Sequence, residues 1–410
     1  MVAKTGWRKL LMAFSAAAVL SAGTALSTAA ETRTDIELAS LASLHWTGEE
    51  MAVFGSSQAD IDFRNTDTRM VQARLQMRLS LLQLNFNDNS EITEDLGELS
   101  GLTGGQPQVV TMLQVPRASI RFRFPVTDDY MLRITAGRDR LSWGIGSLFN
   151  AADLLFGADG SGTSDFTRSE DVRDETAWLL SLYFPLGELG YLETVALPSL
   201  PGLEISLPAA QPVSPAIDET RAGLRLHSAV GPLSIEPSYL YDGQTSTNRI
   251  ALSLQGTLLG ADIYTAGNLN IPASKTVPAI DTLLRDNSQI SAGVFRTFSI
   301  GYDQTLAARL EALVIPGADW NNQNEPTARY ALQLHPEISW SPTRTLTVIS
   351  RAMVSPIDHS AELTTGALWN IYQGFNALTF TSLQVGNSET IYGWNRPGSF
   401  SLTAGFRYAF

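Results

Sequence analysis

From about residue 35 to the last residue, apolar and polar positions alternate one by one, in runs of roughly eight to fifteen residues that end at Gly, Pro, Asn or Asp. A period of two puts successive side chains on opposite faces of an extended strand, so each run reads as a strand with one apolar and one polar face. The clearer runs are 51–64, 68–82, 115–124, 130–138, 174–186, 190–197, 218–229, 233–242 and 246–258, followed by 259–268, 289–300, 305–316, 327–341, 344–356, 359–371, 375–387 and 398–410. A weaker run at 35–47 (Ile36, Leu38, Leu41, Leu44, Trp46) supplies an eighteenth. Helical periodicity is scarce after residue 31.

The connections sort themselves by length. Asn65–Asp67, Pro125–Asp129, Gly187–Leu189, Gly231–Pro232, Gly260, Gly301–Gln304, Pro342–Thr343 and Gln373–Gly374 are tight and share one end of the strand series. The long connections (83–114, 139–173, 198–217, 269–288, 317–326 and 388–397) all fall at the other. A soluble sandwich has no reason for this sorting. An all-β, transmembrane, antiparallel up-and-down β-barrel does, with short turns on one side of the membrane and long loops on the other. Eighteen strands close an even barrel; sixteen or fourteen stay open if weak runs such as 259–268 are misread.

Alternation also assigns faces. In 68–82, Val71, Ala73, Leu75, Met77, Leu79 and Leu81 share the apolar face, and Gln72, Arg74, Gln76, Arg78 and Ser80 the polar one. In 115–124, Ala118, Ile120, Phe122 and Phe124 oppose Arg117, Ser119, Arg121 and Arg123. A mid-strand arginine facing lipid costs roughly 2–4 kcal/mol, so arginine kept to the polar parity supports the barrel. The expected pore-lining set is Arg74, Arg78, Arg121, Arg123, Arg133, Arg221, Arg225, Arg249, Arg309, Arg329 and Arg351, with Glu311 and Glu337. His227, His335, Arg407 and Glu236 share that parity. Inward acids are expected to be few. Trp178, Tyr183, Tyr130, Tyr264, Trp340 and Trp369, near strand ends, are expected in aromatic belts.

Both chain ends carry an address. Lys4, Arg8 and Lys9 precede an apolar, Ala-rich run from Leu10 to Leu26, and Thr28-Ala29-Ala30 offers a cleavage site. Residues 1–30 thus read as a secretory signal peptide and 31–410 as one barrel domain. At the other end, Thr403, Gly405, Tyr408 and Phe410 fill the slots of a polar residue, a glycine two later and aromatics at the third-last and last positions. This pattern resembles the C-terminal signal of Gram-negative outer-membrane β-barrels. The resemblance implies insertion by the barrel assembly machinery, helped by periplasmic chaperones, with Gly405, Tyr408 and Phe410 as the assembly signal. It also implies that the tight turns are periplasmic and that the partners include outer-membrane lipid and lipopolysaccharide.

Composition narrows the function further. No later stretch of eighteen apolar residues occurs, so no transmembrane helix is expected. Mean hydropathy near zero suits a barrel in which alternate residues meet lipid. Cysteine is absent, which removes disulfides, thiolate metal ligands and thiol nucleophiles. Net charge is −13, and Lys275 is the sole lysine after residue 31, a balance that argues against nucleic acid.

The chemistry concentrates in one loop, 139–173. It opens with Gly137-Arg138-Asp139-Arg140 and continues Trp143-Gly144-Ile-Gly146-Ser-Leu-Phe149-Asn150-Ala-Ala-Asp153. This resembles a Gly-Arg, Trp-Gly, Asn-Pro-x-Asp pattern of porin-like outer-membrane barrels, with Ala151 where proline would sit. Counted in eighteen strands it is the third outer loop, which in general porins folds inward and narrows the pore. Arg138, Asp139, Trp143, Gly144, Asn150 and Asp153 are therefore its candidate constriction residues. Asn150 and Asp153 can cap the loop's own amides or begin a short helix. Further acids (Asp159, Asp165, Glu170, Asp171), and another acidic loop with Asp88, Glu91, Glu94, Asp95 and Glu98, would face a basic wall and set a transverse field.

Other chemistries find less support. Of the four histidines, His227 points away from Ser228, and His359 beside Asp358 and Ser360 reads as a turn or a rim group, so no enzyme is expected. Asp159-Gly-Ser-Gly-Thr-Ser-Asp165 has oxygen ligands but not the spacing of a calcium loop, and no cofactor or metal is expected. The leading expectation is a porin passing small hydrophilic solutes by diffusion. The alternatives are a ligand-specific transporter with a plugged lumen and a surface adhesin or structural barrel. A homotrimer is compatible with the porin resemblance, although nothing in the sequence marks an interface.

Overall fold

The computed structural model describes residues 32–46, 51–65, 70–85, 108–158, 175–200, 204–207, 216–273, 279–321, 331–387, 390–393 and 399–410. The expected signal peptide, the acidic residues 88–98, Asp159–Asp165, Glu170, Asp171 and Arg329 lie outside these.

The expected strands all form, most within a few residues of the expected bounds. They are β1 (Thr32–Trp46), β2 (Met51–Asn65), β3 (Val71–Asn85), β4 (Gln108–Pro125), β5 (Met131–Asp139), β6 (Ala177–Pro185) and β7 (Gly190–Ser199). After a four-residue β8 (Glu204–Leu207) come β9 (Ala216–Val230), β10 (Leu233–Asp242), β11 (Thr247–Leu258), β12 (Ala261–Pro272) and β13 (Ser288–Ser299). The series ends with β14 (Thr305–Val314), β15 (Leu332–Thr343), β16 (Leu346–Ser355), β17 (Ser360–Tyr372), β18 (Phe375–Val385) and β19 (Phe400–Ala409). One short helix, α1 (Ile280–Asp286), precedes β13.

Each strand pairs antiparallel with its sequence neighbour, except that β7 pairs past β8 to β9. The result is a closed barrel of 18 strands, with β8 added at the outer half of β4 through Thr111–Gln114. Closure joins β1 to β19 from Glu37↔Ala409 to Trp46↔Phe400, and the Ile36 and Phe410 backbones exchange hydrogen bonds of 2.9 Å. Among the described residues the 18-strand wall has no open edge, as a bilayer requires.

Two local features explain departures from simple alternation. A bulge interrupts the β3–β4 ladder between Gln76↔Arg117 and Arg78↔Gln114. Pro116, which has no N–H to give a ladder, sits in it. Below it Phe122 and Phe124 face outward, and above it the parity flips so that Leu113 pairs Leu79, both exposed. At the closing seam, a Cβ on Gly405 would lie 2.1 Å from the Ser40 carbonyl oxygen. Glycine in the C-terminal pattern is thus a packing requirement of the seam.

One parity carries a continuous exposed apolar surface, with Leu81, Phe124, Leu180, Leu252, Leu310, Ile338, Trp369 and Phe406 between 40% and 54% exposed. Such a surface around a whole barrel has no place in water and matches the lipid-facing band of a transmembrane barrel. Strands of nine to eighteen residues are long enough to cross with tilt. Tyr408 and Phe410 lie on this face, their rings 5.0 Å apart, beside the Phe375–Phe406 stack at 5.3 Å. Trp340 and Trp369 are on it too. Tyr264 and Tyr183, expected in the belts, are not: their parity belongs to Ala266 and Ser181, and both meet groups on the polar face.

Candidate functional site

On leaving β5 the chain does not turn outward. Residues 140–158 lie as a strap across the polar face of the wall. Trp143, Leu148, Phe149, Leu154 and Leu155 are at most 1% exposed. They share an apolar cluster with Leu179 of β6, Val195 and Leu197 of β7, Leu240 of β10, Ala251 of β11, Ala266 of β12 and Leu313 of β14, with Met353 of β16 at its margin. Each fully buried large side chain contributes roughly 1.5–3 kcal/mol. The small wall residues Ala251 and Ala266 leave room for Phe149 and the leucines.

The strap's own fold follows its pattern of small and amide residues. Gly144 has φ +79°, and a Cβ there would meet the Asn150 Oδ1 at 2.3 Å. Asn150 Nδ2 donates to the Trp143 carbonyl at 2.7 Å, closing the turn across the glycines. Asp153 Oδ1 accepts from Leu155 N at 3.1 Å and Phe156 N at 3.3 Å, so Asp153 caps local amides as expected while Asn150 instead donates to a carbonyl, and turns rather than a helix follow.

What holds the strap to the wall is a set of hydrogen bonds to its backbone. Glu311 of β14, 1% exposed, accepts three consecutive amides: Ser147 N at 2.8 Å and Leu148 N and Phe149 N at 2.9 Å. Bonds to a carboxylate of this kind are worth roughly 1.5–3 kcal/mol each. Glu236 of β10 accepts Gly144 N at 2.9 Å. Asn268 donates to the Ala151 carbonyl at 2.8 Å, Arg225 to Ser142 O at 3.2 Å, and Arg221 to Leu155 O. Ala151 N donates to Ser291 Oγ at 2.9 Å. Proline at 151 would remove that donor, which accounts for the departure from the Asn-Pro-x-Asp pattern.

Around the strap the charges pair within the wall. Arg225 lies 2.7 Å from Glu193 and 3.3 Å from Glu236, with its guanidinium 5.9 Å from the Trp143 ring centroid. Arg249 meets Asp242, and Glu337 lies 3.5 Å from Arg309 and 3.3 Å from the fully buried Arg351. His335, also fully buried, bonds the Ala352 carbonyl through Nδ1 at 2.9 Å. Arg138 is on the other parity from Asp139 and donates to Thr176 at 3.3 Å, at the strand end rather than within the strap.

Away from the strap, β1–β5 carry a second charged array. Arg74 and Arg64 share Asp62, Arg78 meets Asp60 at 2.8 Å, and Arg407 of β19 meets Glu37 at 3.1 Å. Arg121 donates to Thr135 at 3.2 Å and is 3.8 Å from Asp139, which also accepts from Ser119 at 3.0 Å. Arg123 donates to Gln72 at 2.9 Å, and Arg133 lies 3.6 Å over the Tyr183 ring. Among the described residues neither has a carboxylate within ion-pair distance. Between this array and the start of the strap is a cavity of about 250 Å³, lined by Arg121, Arg133, Tyr183, Tyr191, Glu193 and Arg225.

Acids on the polar face are therefore more numerous than expected. Asp60, Asp62, Glu193 and Asp242 are all no more than 8% exposed there. Asp60 and Asp62 sit in a plain alternation, Gln58-Ala-Asp60-Ile-Asp62-Phe-Arg64, so their parity was legible. The anchoring roles of Ser291, Asn268 and Glu311 had no local signal. His359 occupies a tight turn with φ +58°, beside Asp358, which accepts the Ser360 hydroxyl at 2.8 Å and Ile391 N at 2.7 Å.

No protein-family model matches the chain, and no curated protein sequence does. Among solved structures, variants of the porin of Rhodopseudomonas blastica match over 93% of this chain and 100% of theirs, at 8–9% identity and TM-scores of 0.39–0.40. A structure described as "Asymmetric conductivity of engineered proteins" matches over the same shares at 9% identity and a TM-score of 0.40. The class rests on the strand pairing and the two faces of the wall: this is a closed, all-antiparallel, 18-strand β-barrel of the transmembrane type.

Proposed function

We propose that the protein is an outer-membrane porin through which small hydrophilic solutes diffuse passively. The polar face lines a water-filled lumen, the long loops stand at the outer side, and the strap 140–158 narrows the passage. The carrying observation is the strap: a loop bound edge-on to wall carboxylates by four backbone amides, on the face opposite the apolar band. A loop tethered in this way has a fixed position, as a constriction needs. Against it stand the β3–β5 arginines, so a solute passes between an anchored segment and a guanidinium-rich wall.

In this reading Arg74, Arg78, Arg121, Arg123, Arg133, Arg221, Arg225, Arg249, Arg309 and Glu337 belong to the lumen side with unequal roles, and the buried Arg351 and Glu311 stand behind them. Arg121, Arg123 and Arg133 meet solute. Arg221, Arg225 and Glu311 hold the strap, while Arg309, Arg351 and Glu337 support the wall beneath. Gly405, Tyr408 and Phe410 serve assembly by the barrel machinery. The chemistry is diffusion, with no enzyme role.

The test is planar-bilayer recording of the refolded protein under a salt gradient. Stepwise conductance with a defined reversal potential is expected. Silence from a folded, heat-modifiable barrel would move the assignment to a plugged transporter or an adhesin.

A further inference from the structure

Apart from the strap, the long-loop end contains a second concavity. Where β12 and β14 end and β13 begins, α1 and residues 315–321 enclose a cleft of about 620 Å³. Its lining is unlike that of the lumen. It presents the carboxamides of Asn270, Asn287, Gln289 and Asn321, the Asp286 and Asp319 carboxylates and the indole of Trp320. Asp286 is closed upon by its neighbour Arg285 at 2.7 Å.

The parts are held in place. Trp320 is 48% exposed, and its Nε1–H donates to the Pro316 carbonyl at 3.0 Å, so the ring's only polar atom is used and a flat apolar plate is offered. Asn270 N donates to the Asn287 carbonyl at 2.9 Å, which ties the end of β12 to the residue between α1 and β13. Gln289 Oε1 accepts from Asn268 at 3.0 Å, so its NH2 stays available as a donor. Asp319 Oδ1 receives Asn321 N at 2.9 Å and the Asp319 carbonyl receives Ala331 N at 2.9 Å, which fixes the loop carrying the indole.

This lining selects by exclusion. Among the described lining residues an anion finds no guanidinium or ammonium and meets two carboxylates. A wholly apolar ligand would leave several amides unpaired, each costing roughly 1–3 kcal/mol. A neutral polyhydroxylated ring meets both demands: its C–H face covers the indole, and its hydroxyls give to and take from carboxamides, which do both. We propose that this cleft binds a neutral saccharide unit at the mouth of the barrel. The unit comes either from a free oligosaccharide or from the sugar portion of lipopolysaccharide.

The experiment titrates full-length, refolded protein in lipopolysaccharide-free micelles with maltohexaose, cellohexaose and chitohexaose, and separately with purified lipopolysaccharide, by calorimetry. Saturable binding of at least one probe is expected. It should weaken roughly tenfold, or 1.4 kcal/mol, in Trp320→Ala, recover partly in Trp320→Phe, and fall in Asn287→Ala, with single-channel conductance unchanged. Binding of a free hexasaccharide assigns the site to solute capture; binding of lipopolysaccharide alone assigns it to the membrane's own glycan. Heat-modifiable gel mobility confirms that each variant is folded. No binding of any probe, or binding that both alanine variants leave intact, overturns the proposal.

Discussion

The wall has two halves that use the same residue types to opposite ends. From β6 to β16 the polar face is covered by the strap, and its charges are committed: Glu311 and Glu236 to strap amides, Arg221 and Arg225 to strap carbonyls, Arg351 and Arg309 to Glu337. From β1 to β5 the charges pair across neighbouring strands instead, and among the described residues the side-chain partners of Arg123 and Arg133 are an amide oxygen and an aromatic ring. In the proposed function the first half is a scaffold and the second is a field. An arginine count along the chain does not separate them; contact with the strap does.

The comparison breaks most sharply at Glu311. In Glu311→Ala three consecutive amides lose their acceptor, which should weaken strap docking by about 3–5 kcal/mol, on the scale seen when one partner of a buried charged contact is removed. The strap should then become cleavable by protease in a barrel that still shows heat-modifiable mobility. Phe149→Ala tests the apolar side of the same attachment. An unfilled cavity under the strap should cost about 3–5 kcal/mol, read as a lower thermal midpoint for strap cleavage. Ser291→Ala removes one acceptor and leaves Ala151 N unpaired, for about 1–3 kcal/mol in the same assay.

The open half should respond differently. Arg121→Gln with Arg133→Gln should leave strap cleavage unchanged and shift the reversal potential toward cations. At a water-like dielectric each charge contributes about 1 kcal/mol at 4 Å, so permeability ratios should move several-fold, and less at high salt. If this pair loosens the strap, the division into scaffold and field is wrong. The control is Arg344→Ala. It breaks an exposed pair with Asp303 (2.7 Å) at the short-turn end and should alter stability by no more than about 0.5 kcal/mol.

The barrel was legible because it is written locally. Each strand is an alternation that two residues of context reveal, and each turn is marked by Gly, Pro or Asn. Legibility failed where alternation failed. The outer part of β4, Val109-Val-Thr-Met112-Leu113, has no clean period, and the Pro116 bulge flips its parity, so alternation alone starts the strand at 115 whereas it begins at Gln108. β8 is four residues whose pairing to β4 needs a partner ninety positions back. Tyr183 and Tyr264 went to the belts on residue type, although Ser181 and Ala266 gave their true parity.

The candidate site was half legible. Trp143, Gly144, Asn150 and Asp153 stood out as a motif, and the structure puts all four in the strap. The anchors did not, because nothing near Glu311 in sequence signals that its carboxylate will receive amides more than 160 residues earlier. A buried acid on a wall of arginines is an ambiguous sign until its partners are known. Here those partners are the backbone of another segment.

The most direct test of the account is paired single-channel recording of the wild type and Glu311→Ala. The account predicts discrete conductance steps in the wild type and larger steps in the variant, because the strap no longer narrows the passage. Equal steps in both would show that the strap does not set the constriction. A silent wild type that conducts only as Glu311→Ala would identify the strap as a plug and contradict an open pore.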